Sequence, residues 1–269
     1  MIRVRRRPAA AAAGTAIQRA RHCLGGAGGL ITAGAVQTVF AREAAPTRVA
    51  ALQRFFKTGL GEYAEGDRFR GLKVPQVRAV VGRCDALPLP EIARLVASPW
   101  HEDRLAGLLV VVRQFARAKE PAVRRKLYRF YLAAARAGRI NNWDLVDVTA
   151  GRIVGGWLRD RPERAATLDR LARSRRLWER RIAVLASGYF IGCGQCGDTL
   201  RLAAACRDDP HDLMHKAVGW MLREVGKRDR PALDGFLAEH AARMPRTMLR
   251  YAIEKHSAAE RAGWLAAGR

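Results

Sequence analysis

The sequence predicts an all-α protein, an α-solenoid of stacked helical repeats with a basic concave face, on three observations. Segments with helical spacing follow one another along most of the 269 residues, no convincing period-2 run interrupts them, and one short pattern recurs at the period of a helix pair. Composition agrees: 49% hydrophobic residues with only 7% aromatics suits Ala- and Leu-rich helices better than an aromatic-rich sandwich. The length admits one large domain or two small ones, with a sizeable core.

The beginning of the chain differs from the rest. Before Glu43 there are seven arginines, no lysine and no acidic residue, with a small-residue run from Ala9 to Ala13 and a glycine-rich stretch from Leu24 to Gly34. Residues 1–45 are therefore expected to be a basic extension, disordered or leader-like, and residues 46–269 the folded domain. From Pro46 onward helix signals accumulate. Ser98 and Pro99 read as N-cap and first helical residue before a helix over 100–117. The next, over 121–137, carries Val123, Leu127, Phe130, Tyr131 and Ala134 at helical spacing and stops at Gly138. Helices are expected over 142–159, 162–172, 177–190, 199–207, 213–228, 231–242, 247–256 and 258–267, with Gly, Pro or Asp at the breaks.

The repeat is weak but ordered. Arg104-Leu-Ala-Gly-Leu-Leu, Arg181-Ile-Ala-Val-Leu and Lys216-Ala-Val-Gly-Trp each place a charged residue before small and aliphatic ones, and Asp147-Val-Thr-Ala-Gly fits the same slot. The steps from Arg104 to Asp147, Arg181 and Lys216 are 43, 34 and 35 residues, the period of HEAT- or armadillo-type helix pairs. Equivalent positions of such a stack line up on one face. The expectation is a row of three cations around one carboxylate.

Charge narrows the class of partner. A net charge of +24 points to a polyanion, nucleic acid before anionic membrane, although 42 of the 49 basic residues are arginine, a skew that GC-rich coding also produces. No apolar run of about 18 residues suggests a transmembrane helix. Five cysteines, an odd number in a chain too long to need disulfide staples, suit a reducing compartment. The expected location is a bacterial cytoplasm in association with the nucleoid, with organelle targeting by the extension as the alternative. Cys193-Gly-Gln-Cys196, with Cys206, His211 and His215 nearby, is a lone CxxC whose glycines suit a tight loop, so no metal is expected. No phosphate-binding glycine loop or nucleophile elbow is present.

Two tryptophan-bearing segments stand out: Asn141-Asn142-Trp143-Asp144-Leu145-Val146-Asp147, and His215-Lys216-Ala217-Val218-Gly219-Trp220-Met221-Leu222-Arg223-Glu224. Each sets a Trp and a charged residue four apart, neighbours on one helical face. By themselves Trp143 and Trp220 read more readily as inter-helix packing, and Asp147 as a first-turn residue favoured by the helix dipole, a role that Asp144 fills better. Together with Trp178-Glu-Arg-Arg-Ile-Ala183 and Met244-Pro-Arg-Thr-Met-Leu-Arg-Tyr-Ala-Ile-Glu-Lys255, these segments resemble the AlkD-type DNA alkylation repair family of HEAT-like-repeat glycosylases. Gly71-Leu-Lys-Val-Pro-Gln-Val-Arg78 and Trp100-His-Glu-Asp-Arg104 are similar too, so the likeness runs from about Arg48 to His256.

What the resemblance implies is hydrolysis of the N-glycosidic bond of N3- or N7-alkylated purines in double-stranded DNA. It implies Asp147 as the catalytic carboxylate, Trp143 and Trp220 as tryptophans packed on the sugar, and Arg181 as a backbone-binding arginine. Lys216, Arg104, Arg113, Arg223 and Lys73 are further candidate DNA contacts, with Lys73-Val74 departing from the more polar pair expected there. Alkylation leaves the purine positively charged and ready to depart, so charge develops on the deoxyribose. A carboxylate against that sugar stabilises it and positions water, and aromatic faces attract the same cation. Such a site asks for no cofactor, and the expected state is a monomer on DNA. Base extrusion, general among glycosylases, is not implied. The alternatives are a non-catalytic solenoid that binds DNA or branched DNA, and a protein-binding scaffold. Steep salt dependence of binding would mark either DNA reading.

Overall fold

The computed structural model describes residues 29–267. Regular structure among them is helical, as the sequence predicts, with one isolated parallel bridge between Arg68 and Trp100. No helix among the described residues is long and apolar enough to cross a membrane. The chain divides into two compact units, the first ending at Arg113 and the second starting at Gln114.

The first unit holds α1 (Ala33–Arg42), α2 (Val49–Phe55), α3 (Val74–Val81), α4 (Leu89–Val96) and most of α5 (His101–Arg117). Here the expected boundary at residue 46 moves. Thr32 caps α1 by accepting from the Ala35 N–H, and Leu30, Val36 and Phe40 are fully buried. The Ala33 N–H donates to Glu91 at 2.8 Å, and the Leu30 N–H to the Arg83 carbonyl at 2.7 Å. An apolar stripe of Ala33, Val36 and Phe40, three and four residues apart and hidden in the acid-free composition it shares with the preceding residues, makes this segment part of the fold. Residues 1–28 of the expected extension lie outside the described residues.

The Trp100–Arg104 stretch is structural. The buried Glu102 carboxylate accepts from the N–H groups of Arg70, Gly71 and Leu72, satisfying a loop that could not otherwise be buried. Gly71 sits at φ +84°, where a Cβ would lie 2.2 Å from the Ala45 carbonyl oxygen, so only glycine fits.

The second unit holds α6 (Pro121–Arg136), α7 (Trp143–Asp147), a π-helical turn (Gly151–Gly155) continued by one α-turn (Gly156–Leu158), and α8 (Arg164–Ala172). After these come α9 (Leu177–Gly192), α10 (Gly197–Ala205), α11 (Asp212–Arg228), α12 (Arg230–His240), α13 (Arg246–Ala252) and α14 (Ala258–Ala266). The π turn packs on α9, α9 on α11, and α11 on α13, while α8, α10 and α12 join them in layered pairs. This is the stacking that steps of 34 and 35 residues anticipate. Glycine permits the closest approach: a Cβ on Gly219 of α11 would stand 2.5 Å from the Met248 carbonyl oxygen of α13.

Candidate active site

The segment expected as one helix over 142–159 is broken, and the break sets Asp147. Asn142, fully buried, caps α7 by accepting from the Trp143 N–H at 2.9 Å. Asp144 accepts from the Leu145 N–H at 2.8 Å. One turn on, the Thr149 hydroxyl donates to the Leu145 carbonyl at 2.5 Å, while the Thr149 N–H turns to Val146. A side-chain donor thereby replaces the helix's own amide, a competition typical of threonine. The chain widens into the π turn, where a Cβ on Gly155 would lie 2.4 Å from the Ala186 carbonyl oxygen of α9. Asp147 is thus the last residue of a short helix, facing α9.

Arg181, in the second turn of α9, meets it there. Its Nε and Nη2 donate to the two carboxylate oxygens of Asp147, both at 2.8 Å. Its Nη1 donates to the Leu213 carbonyl at the start of α11, at 2.5 Å. The side chains of Arg181 and Asp147 are 5% and 14% exposed. Burial raises the Asp147 pKa above the ordinary carboxylate value; the Arg181 hydrogen bonds and charge oppose the rise, and Asp144 adds to it. The fork uses about two of the four lone-pair positions of the carboxylate, so each oxygen can accept once more. Behind the pair, the buried Tyr131 hydroxyl lies 2.8 Å from Thr149 Oγ1, and burial, with the Asp147 charge, makes it a weaker acid.

The Leu213 carbonyl ties α11 to this pair. Leu213, Lys216 and Trp220, spaced three and four apart, form a half-buried stripe, whereas Met214, Ala217, Val218 and Met221 are buried. Lys216 pairs with Asp212 at 2.7 Å, and the Trp220 indole N–H donates to Glu224 at 3.1 Å. Lys227 and Arg223 hold the same Glu224 carboxylate. Trp143, half-buried, opens α7 four residues before Asp147.

The remaining candidate DNA contacts are placed less uniformly. Arg104 is 4% exposed in the first unit, its guanidinium 2.6 Å from Asp67 and donating to the Ser98 carbonyl, so it offers no face to a phosphate. That removes it from the expected row of cations. Arg113 is forked onto Asp85 but about a third exposed, Arg223 is held by Glu254 and Glu224, and Lys73 is exposed at the start of α3. Arg181 is occupied by Asp147 and Leu213, so it holds the carboxylate here rather than projecting outward. Periodicity missed the roles of Tyr131, Thr149 and Leu213: Tyr131 reads as one more residue of an apolar stripe, Thr149 as part of the repeat slot, and a backbone carbonyl has no sequence signature. No group of three or more His, Cys, Asp or Glu side chains among the described residues could hold a metal ion.

A family model described as "DNA alkylation repair enzyme" matches residues 36–256. No curated protein matches the chain in sequence. Among solved structures, the chain is similar to one titled "Predicted DNA alkylation repair enzyme from Enterococcus faecalis". The TM-score is 0.62 at 14% identity, covering 80% of this chain and 97% of that one. Likeness at that identity speaks to the fold.

Proposed function

The chain belongs to the DNA alkylation repair enzyme family, and we propose that it is a monofunctional DNA glycosylase acting on N3- or N7-alkylated purines in duplex DNA. The observation that carries this reading is the buried Asp147 carboxylate, stripped of most water and fixed by the two-pronged Arg181 contact. A preorganised charge in a poorly solvated site stabilises a developing cation without reorganising at the moment of reaction. The alkylated purine leaves as a neutral base, the positive charge moves to the deoxyribose, and Asp147 faces that sugar. An oxygen of Asp147 with a vacant lone-pair position accepts a hydrogen bond from a water; as the water oxygen bonds to the anomeric carbon, its proton passes to that carboxylate and from there to solvent.

Trp143 and Trp220 supply aromatic faces to the sugar, and the hydrogen bond from Trp220 to Glu224 fixes its ring. Lys216, Arg113, Arg223 and Lys73 contact the phosphates, while Arg181 acts through Asp147. The protein works as a monomer on DNA in the bacterial cytoplasm, and the reaction asks for no cofactor because its leaving group is already charged.

One observation favours a second reading, a DNA-binding protein without chemistry: Arg181 balances the Asp147 charge before any substrate arrives. Base release decides between them. A duplex carrying one N7-methylguanine, and another carrying N3-methyladenine, should lose the base with wild-type protein. Tight, salt-sensitive binding with release from neither duplex would favour the second reading.

A further inference from the structure

We propose that a second site in the unit beginning at Gln114, whose lining does not include Asp147, binds phosphate groups. It is a cleft of about 310 Å³ between the start of α6 and the chain that follows the Gly156–Leu158 turn, and Lys119, Arg124, Trp157, Arg159, Asp160 and Arg161 line it. That volume is at the small end of the roughly 300–1,000 Å³ typical of ligand clefts.

The charge is one-sided. Four cations face one carboxylate, Asp160, which is 79% exposed and approaches Arg159 at 3.5 Å. Among the described residues Lys119, Arg124 and Arg161 form no ion pair, whereas Arg164, Arg180, Arg181 and Arg201 of the same unit all do. Cations gathered in a concave site repel one another, and an anion there is attracted by all of them.

Two guanidinium groups are also preset. The Arg161 guanidinium carbon lies 3.5 Å from the Trp157 ring centroid, and that of Arg124 lies 4.4 Å from the Phe115 centroid. Each is tied to a backbone carbonyl, Arg161 Nε to Trp157 at 3.1 Å and Arg124 Nη2 to Gly156 at 3.3 Å. Stacking and tethering fix the planes while in-plane donors remain, the geometry with which arginine forks onto phosphate oxygens. Arg124 Nε is buried with no hydrogen-bond partner, a donor left unmet. Trp157 is only 8% exposed and its ring already stacks with Tyr128 at 5.4 Å, so the cleft reads charge and has no ring free to receive a base. The phosphate could belong to a DNA strand or to a free phosphorylated small molecule.

The test titrates the full-length chain with inorganic pyrophosphate at fixed ionic strength, and separately follows duplex DNA affinity against salt. The variants are Lys119→Ser, whose side chain is exposed, and Lys119→Ser with Arg161→Ser. Arg136→Ser with Arg261→Ser serves as a charge-matched control. The expected result is at least a tenfold loss of pyrophosphate affinity in the double variant and a smaller loss in Lys119→Ser, with the control unchanged. A DNA salt slope lowered by about one per lost contact, beyond the control, assigns the site to strand phosphates. An unchanged slope with lost pyrophosphate binding assigns it to a free ligand. Lys119→Ser keeps the test decisive if the double variant fails to fold. Pyrophosphate affinity and DNA slope that both match the control's would overturn the proposal, whatever base release shows.

Discussion

Arg181 and Asp147 are joined edge to edge by two hydrogen bonds of 2.8 Å, and the remaining arm of the guanidinium reaches the Leu213 carbonyl. One side chain thus links three successive layers, α7, α9 and α11. Residues 34 and 32 positions apart from Arg181 meet at its three nitrogens. The contact is both a structural clasp and the setting of the proposed catalytic charge.

Asp147→Asn should lower base release from an N7-methylguanine duplex at least a hundredfold, about 3 kcal/mol of transition-state stabilisation. DNA affinity should change little. Single-turnover release beside equilibrium binding checks this, and a variant within about threefold of wild type would exclude Asp147 as the stabilising charge.

Arg181→Ala strands a largely buried carboxylate. The expected cost is about 3 kcal/mol, the low end for breaking a buried pair because Asp147 keeps some exposure. In denaturant unfolding, Arg181→Lys should recover part of that stability without the fork, and with it only part of the activity. Equal stability of all three proteins would mean that the pair contributes nothing to the fold.

The pH dependence follows from the raised pKa of Asp147. Only the ionised carboxylate stabilises a cation, so release falls as acid protonates it, and above its pKa this group leaves the rate flat. Burial lifts the midpoint above the ordinary 3.8, so the acid limb of single-turnover release should lie at higher pH than an unperturbed aspartate would give. An acid limb with its midpoint at or below the ordinary 3.8 would contradict the assignment.

Gly219→Ala should destabilise the packing of α11 on α13. The added methyl meets the Met248 carbonyl oxygen at 2.5 Å and the Tyr251 Cβ at 2.6 Å, neither of which can swing away. Overpacking of this kind costs about 1–3 kcal/mol, and thermal unfolding would register it. Gly263→Ala in α14, with nothing within 4 Å, is the control and should be neutral or slightly stabilising.

Cysteine reactivity should be graded by burial. Cys193 is exposed, whereas burial pushes the Cys84 and Cys206 thiols up to about 11. Among these, a thiol reagent at neutral pH should label Cys193 first, with Cys84 and Cys206 reacting only on unfolding. Mass mapping of labelled peptides would reveal the order.

Much of this was legible in the chain. The helical class followed from spacing and breaks, because the 3.6-residue period of an apolar stripe is a local property. The 34-residue step put Asp147 and Arg181 in one row, which repeat stacking converts into contact, while their candidate roles came from the family resemblance. The helix at Ala33–Arg42 was obscured because composition averages over a window, while its burial depends on packing against α3 and α4 far along the chain, with Glu91 and Arg83 accepting from the Ala33 and Leu30 N–H groups. Arg104 looked like a member of the row because its sequence neighbours match, yet Asp67 and the Ser98 carbonyl claim it.

By itself the sequence determined the helical period, the repeat spacing, the cationic excess and which residue types could serve a sugar cation. Tertiary structure decided which charges are spent on one another and which remain. Arg181 is locked onto Asp147 and Leu213, while Arg124 and Arg161 are stacked on rings with donors to spare. The reason is physical: a side chain's type is fixed locally, but its solvation and its partners are set by residues distant in sequence that packing brings within hydrogen-bond range.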